Sequence, residues 1–126
     1  MIDRIDHIVL TTTDLERCVA FYRDALGMSF EAFGEGRLAL KFGNQKINIH
    51  KRGKEFEPKA HIPAPGALDL CFIASIPLED VITRLKAAGI AILQGPVPKT
   101  GATGPIRSVY VRDPDLNLIE ISEPVI

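Results

Sequence analysis

The stretch Ile5-Asp6-His7-Ile8-Val9-Leu10-Thr11 sets Ile8 and Leu10 on one side of an extended chain and His7, Val9 and Thr11 on the other. That alternation is the mark of a strand with one covered face. Helical spacing follows in Leu15, Cys18, Val19, Tyr22 and Leu26; Thr13 and Glu16 are spaced as a capping box, and Gly27 stands where a helix stops. Three short apolar segments come next, 29–33, 37–42 and 45–50, so this part of the chain reads βαβββ.

The same order returns after a stretch rich in Pro, Lys and Gly (52–66). Residues 68–74 read as a strand, Pro77 opens a helix that carries Leu78, Val81, Ile82 and Leu85 inward, and Gly89 ends it. Strands are expected over 90–93, 108–112 and 118–122, with 95–104 a flexible glycine- and proline-rich rim. Gly27 and Gly89 lie 62 residues apart, and the same step carries His7 onto Asp69; Ile47-Asn48-Ile49 overlays Ile119-Glu120-Ile121 at a step of 72. The expected fold is therefore α+β, with two βαβββ modules (1–56 and 66–126) in tandem within a single domain spanning 1–126. Each module is expected to be a curved four-stranded mixed sheet with a helix outside, the pair forming a partly open, barrel-like cleft.

Composition narrows the function classes. With 126 residues, 46% of them hydrophobic and 25% charged, the chain can bury a sizeable core. The net charge is −1 and the basic residues are dispersed, so neither a nucleic acid nor a membrane surface is an expected partner. No apolar run approaches the roughly 20 residues of a membrane span, and the first residues alternate charge with apolar side chains, unlike a secretory signal. Cys18 and Cys71 are expected to be buried, reduced thiols, which suits a cytoplasmic location. The partner left is a small molecule, or another copy of the chain.

Strand parity points His7, Asn48, His50, Asp69 and Glu120 away from the helices. Imidazole and carboxylate are donors that one divalent ion (Ni, Zn, Co, Mn or Fe) accepts together, and three ligands leave positions open for substrate. Glu120 interrupts the apolar run Leu118-Ile119-Glu120-Ile121, where a carboxylate without a partner is costly.

Three motifs, Ile5-Asp6-His7-Ile8, Phe21-Tyr22-Arg23-Asp24-Ala25-Leu26-Gly27 and Asp113-Pro114-Asp115-Leu116-Asn117-Leu118-Ile119-Glu120, resemble those of the vicinal-oxygen-chelate superfamily. Its members include glyoxalase I, fosfomycin-resistance proteins, extradiol dioxygenases, methylmalonyl-CoA epimerase and bleomycin-binding proteins. Gln45-Lys46-Ile47-Asn48-Ile49-His50 and Gly53-Lys54-Glu55-Phe56-Glu57-Pro58-Lys59 resemble the glyoxalase domain-containing protein 5 subfamily.

The resemblance implies metal ligands at His7, Asp69 and Glu120. The fourth family place falls on Asn48, where glyoxalase I has a glutamate that acts as base; an amide takes up no proton, which leaves Glu120 and His50 as the catalytic candidates. Asp69 is shorter than the usual ligand there, so it either reaches the ion or orients another ligand. Tyr110 stands where fosfomycin-resistance proteins contact the phosphonate, and Ser108 shares its face. With Asn48 and Arg112 these make the substrate-binding set, while Lys99 and Arg107 are further cations for an anionic substrate. Leu116 replaces a common glycine, and Asn117 is expected to take the backbone strain. The implied function is a metal-dependent, glyoxalase-like lyase or isomerase acting on a small oxygen-chelating carbonyl compound or its thiol adduct. An extradiol-type dioxygenase or fosfomycin-type thiol transferase is one alternative, and a non-catalytic, bleomycin-resistance-like binding module is the other. A homodimer is expected from the same resemblance.

Overall fold

A computed structural model describes residues 1–126. The chain divides into two compact units, Met1–Ala67 and Leu68–Ile126. Unit one runs β1 (His7–Thr12), α1 (Leu15–Val19), a π-helical continuation of that helix (Ala20–Ala25), β2 (Ser29–Phe33), β3 (Arg37–Phe42) and β4 (Gln45–Lys51). Unit two runs β5 (Asp69–Ile73), α2 (Leu78–Ala87), β6 (Gln94–Thr100), β7 (Pro105–Arg112) and β8 (Leu118–Pro124). The four-stranded sheets are ordered β1-β4-β3-β2 and β5-β8-β7-β6. In each, the first strand pairs parallel to the last and the other pairs are antiparallel. The α+β class and the tandem βαβββ modules are as expected, and both sheets are open.

The registers of the two units coincide. Val9 faces Asn48 across β1 and β4, and Cys71 faces Glu120 across β5 and β8. Parity then separates the faces: Leu10, Leu40 and Ile47 of unit one are fully buried, while Val9 is 42% exposed. In unit two α2 lies against β7 and β8, where Leu78, Leu85, Val111 and Ile119 are buried. Burying each such side chain contributes about 1.5–3 kcal/mol, so a one-residue slip in register would lose the core face of a whole strand.

Several local expectations are corrected. Asp14 caps α1, its carboxylate accepting from the Arg17 backbone N–H at 3.1 Å, because Thr13 lies one position too early. Pro77 brings no capping side chain to α2; the Glu123 carboxylate of β8 accepts from the Leu78 N–H at 2.9 Å instead. Residues 90–93 are not a strand, and the second strand of unit two, β6, lies almost wholly within the expected rim instead. As an edge strand bonded only to β7, β6 tolerates Pro96 and Pro98, whose missing N–H groups need no partner on the open side. Gly95 (φ +108°) lets β6 approach β7: a Cβ there would sit 2.4 Å from the Ser108 carbonyl oxygen. Cys18 is buried, but Cys71 is exposed on the face opposite α2. Leu116, not Asn117, takes the left-handed backbone (φ +71°).

Asn117 and Asp113 secure that turn. Asp113 accepts from the N–H groups of Asp115 and Asn117 and from the Asn117 side-chain amide, all within 2.9 Å. Asn117 Oδ1 in turn accepts from Leu68 N–H at 2.9 Å, fixing the entry to β5 beside the start of β8. No helix is long and apolar enough to cross a membrane.

Candidate active site

The open face of unit two collects Asp69 and Cys71 from β5, Ser108, Tyr110 and Arg112 from β7, and Glu120 and Ser122 from β8. Across β7 and β8, Tyr110 pairs with Glu120 and Ser108 with Ser122. Ser108 Oγ donates to Glu120 Oε2 at 2.6 Å, and the two serine hydroxyls are also 2.6 Å apart. Ser122 Oγ lies 3.4 Å from Glu120 Oε2 and 3.3 Å from Cys71 Sγ. Each hydroxyl carries one hydrogen, so a consistent donor chain runs from Cys71 through Ser122 and Ser108 to Glu120. Both serines are fully buried, so this chain holds the Oε2 oxygen of the carboxylate in place.

Desolvation and the neighbouring Glu120 carboxylate push the Tyr110 phenol above its ordinary value, so it stays a hydrogen-bond donor at neutral pH. Desolvation likewise raises the Cys71 thiol, with Glu120 adding to it and the Ser122 hydrogen bond opposing. Cys71 is thus a protonated member of the chain and a poor nucleophile. Lys99 lies 5.7 Å from the centre of the Tyr110 ring.

The cations are engaged differently. Arg112 donates to the Leu116 carbonyl at 3.2 Å, bracing the turn. Arg107 sits among Glu79 and Glu123 at 2.9 and 3.3 Å, so it braces α2 and is withdrawn from the substrate-facing set.

In unit one the open face carries His7, Asn48 and His50. His7 Nδ1 is 2.8 Å from the Asp6 carboxylate. With the proton held on Nδ1, Nε2 presents its lone pair, the orientation that metal-binding histidines have when a carboxylate stands behind them. His50 is buried, and its imidazole sits below its ordinary value mainly through burial, helped by Arg37 and opposed by Glu55. It is neutral at pH 7, as a proton acceptor must be. Two buried side-chain atoms on this face have no hydrogen-bond partner: Asn48 Oδ1 and His50 Nδ1.

The structure therefore brings Ser108, Tyr110 and Glu120 together with Asp69 at the strand entry, and Asn48 with His50. The three expected metal ligands are divided, His7 on unit one and Asp69 and Glu120 on unit two, and neither unit gathers three or more His, Cys, Asp or Glu side chains into a metal-binding group of its own. The donor set fits a divalent ion in kind: an imidazole nitrogen backed by a carboxylate, and a carboxylate anchored through one oxygen. Sequence reasoning missed Ser122, Asp6 and Arg37. Ser122 was legible through parity with Glu120, and Arg37 through the ladder position opposite His50.

Residues 4–121 match the family model described as the Glyoxalase/Bleomycin resistance protein/Dioxygenase superfamily. The chain belongs to that superfamily. Among its members, virulence protein STM3117 of Salmonella typhimurium is 56% identical over 125 residues, covering 99% of this chain and 87% of the relative. The crystal structure of that protein superposes with a TM-score of 0.97 over 99% of both chains. Glyoxalase domain-containing protein RDO1 of Mycosarcoma maydis is 54% identical over 118 residues, 94% of this chain and 66% of the relative. The ethylmalonyl-CoA/methylmalonyl-CoA epimerase of Cereibacter sphaeroides is 30% identical over 98% of this chain and 99% of its own. The structure of lactoylglutathione lyase from Agrobacterium tumefaciens is 25% identical, with a TM-score of 0.73 over 98% of this chain and 95% of that one.

Proposed function

We propose that this superfamily member is a metal-dependent lyase or isomerase of glyoxalase type, acting on a small oxygen-chelating carbonyl compound or its thiol adduct. His7, Asp69 and Glu120 are the metal ligands of this reading, and His50 and Glu120 the proton-handling groups. The observation that carries it is the anchored Glu120 carboxylate, fixed through Oε2 by Ser108 with Ser122 behind it. A superfamily lyase and an epimerase among the relatives support the reaction class.

When bound, the divalent ion supplies Lewis-acid stabilisation of a developing oxyanion. The chain's own residues do the rest. Asp6 sets the His7 tautomer, Ser108 and Ser122 fix Glu120, and the protonated Tyr110 phenol donates to a substrate oxygen. Neutral His50 accepts a proton at Nδ1 from the carbon beside the carbonyl, the task that Asn48 cannot perform. A homodimer in the cytoplasm belongs to the same reading.

Deuterium wash-in from D2O tests it, with the hemithioacetal of methylglyoxal and glutathione as probe and protein loaded with nickel or zinc. Exchange at the carbon beside the carbonyl is expected, reduced about a hundredfold or more in His50→Gln. Exchange no faster than with the free metal, or unchanged in His50→Gln, contradicts the proposal.

A further inference from the structure

On the open face of unit one, Asn48 is flanked by Val9 on β1 and by Ala39 on β3, so no neighbour across the sheet can hydrogen-bond its amide oxygen. Two residues along, His50 is flanked by Thr11, and the β3–β4 ladder continued one step beyond Leu38 and Ile49 brings Arg37 opposite it. The guanidinium carbon of Arg37 lies 4.6 Å from the centre of the Phe56 ring, and the His50 ring meets the same phenyl edge-on at 5.8 Å. Unlike Arg4, Arg23 and Arg107, Arg37 forms no ion pair with a carboxylate. Of the two acids flanking Phe56, Glu55 accepts from the Gly53 N–H and Glu57 pairs with Lys59.

This group therefore has a half-buried cation with unused N–H donors, a buried imidazole nitrogen without a partner, and a buried amide oxygen without a partner. Each orphaned atom is destabilising until a ligand satisfies it. A guanidinium fork matches a carboxylate, and an orphaned acceptor on the neighbouring strand calls for a donor such as a hydroxyl. Phe56 belongs to the segment after β4, outside both sheets, and its ring walls this group on one side.

We infer that Arg37, Asn48 and His50, with Phe56 as the ring wall, form a binding subsite for a small carboxylate that carries a hydroxyl on the neighbouring carbon. Arg37 grips the carboxylate, the hydroxyl donates its one hydrogen to Asn48 Oδ1, and the His50 ring lines the subsite with Nδ1 left to take up a proton. The subsite is made entirely by unit one. It rests on the reading above only in treating the bound acid as the anionic end of the substrate.

Glycolate and acetate differ by the hydroxyl alone, so they are the probes, titrated into EDTA-treated protein labelled for NMR. Glycolate is expected to shift the His50 ring, the Asn48 amide and the Arg37 guanidinium resonances in a saturable way, with acetate at least about tenfold weaker. Arg37→Met is expected to weaken glycolate about tenfold or more, while Glu120→Gln leaves it unchanged. Asn48→Leu provides a second variant should Arg37→Met not fold, and it is expected to erase the preference for glycolate over acetate. Equal binding of the two acids, shifts confined to unit two, or full binding by a folded Arg37→Met overturns the inference. Binding of glycolate by a protein that takes up no metal would leave this subsite standing and remove the metal reading alone.

Discussion

Replacing Ser108 by Ala tests whether the anchored carboxylate is what prepares unit two for a metal. The substitution deletes the donor at 2.6 Å from Glu120 Oε2 and leaves Ser122, at 3.4 Å, as the remaining serine hydroxyl near that oxygen. A hydrogen bond to a charged acceptor contributes about 1.5–3 kcal/mol, and the longer contact recovers only part of it. Ser122 meanwhile loses its 2.6 Å partner but keeps Cys71 at 3.3 Å, so the buried network is weakened without leaving a hydroxyl wholly unpaired. Removing a group that orients a ligand lowers metal affinity about 10- to 100-fold. Ser122→Ala keeps the short bond to Glu120 and is expected to cost about threefold or less, while either variant loses no more than about 3 kcal/mol of stability. Isothermal titration with nickel and zinc, beside urea unfolding of the same samples, measures both. A folded Ser108→Ala that binds metal as tightly as wild type, or a Ser122→Ala that is hit harder, refutes the reasoning.

Two other outcomes follow from the geometry. Leu116 is 66% exposed and held at φ +71°, so Leu116→Gly loses little burial and relieves strain; the urea midpoint should rise by the equivalent of about 1 kcal/mol, and a fall would show that the turn is not strained. The folded chain resists protonating His50, so the unfolded chain takes up that proton first and stability falls as pH drops below the ordinary imidazole value of 6.5, by at most about 1.4 kcal/mol per pH unit. His50→Gln should flatten that limb of the stability profile, and an unaltered slope counts against a buried neutral imidazole.

The architecture was legible because burial imposes a period on the chain. Leu10 and Ile47 are fully buried while Val9 between strand neighbours is not, and this alternation, repeated at a step of 62, fixed both first strands and the placing of His7 and Asp69. Where burial is weak the period fails. β6 is an edge strand with two prolines, and six of its seven residues, all but Val97, are exposed, so it carries no alternation to read and passes for a loop. Cys71 illustrates a different limit: its hydrophobic character suggested the core, but strand parity assigns it to the open face beside Glu120. The side-chain partners of the site depend on distance. Strand parity alone brings Ser108 and Glu120 to one face, yet only coordinates reveal that the serine grips the carboxylate, that Asp6 backs His7, and that Arg107 is diverted to Glu79 and Glu123.

The most direct measurement is metal content and affinity of the purified protein after exposure to nickel, zinc, cobalt and manganese, for wild type, His7→Ala and Glu120→Ala. The account predicts one tightly held divalent ion per chain in the wild type and its loss in both folded variants. A wild type that takes up no metal, or variants that retain it undiminished, contradicts the account.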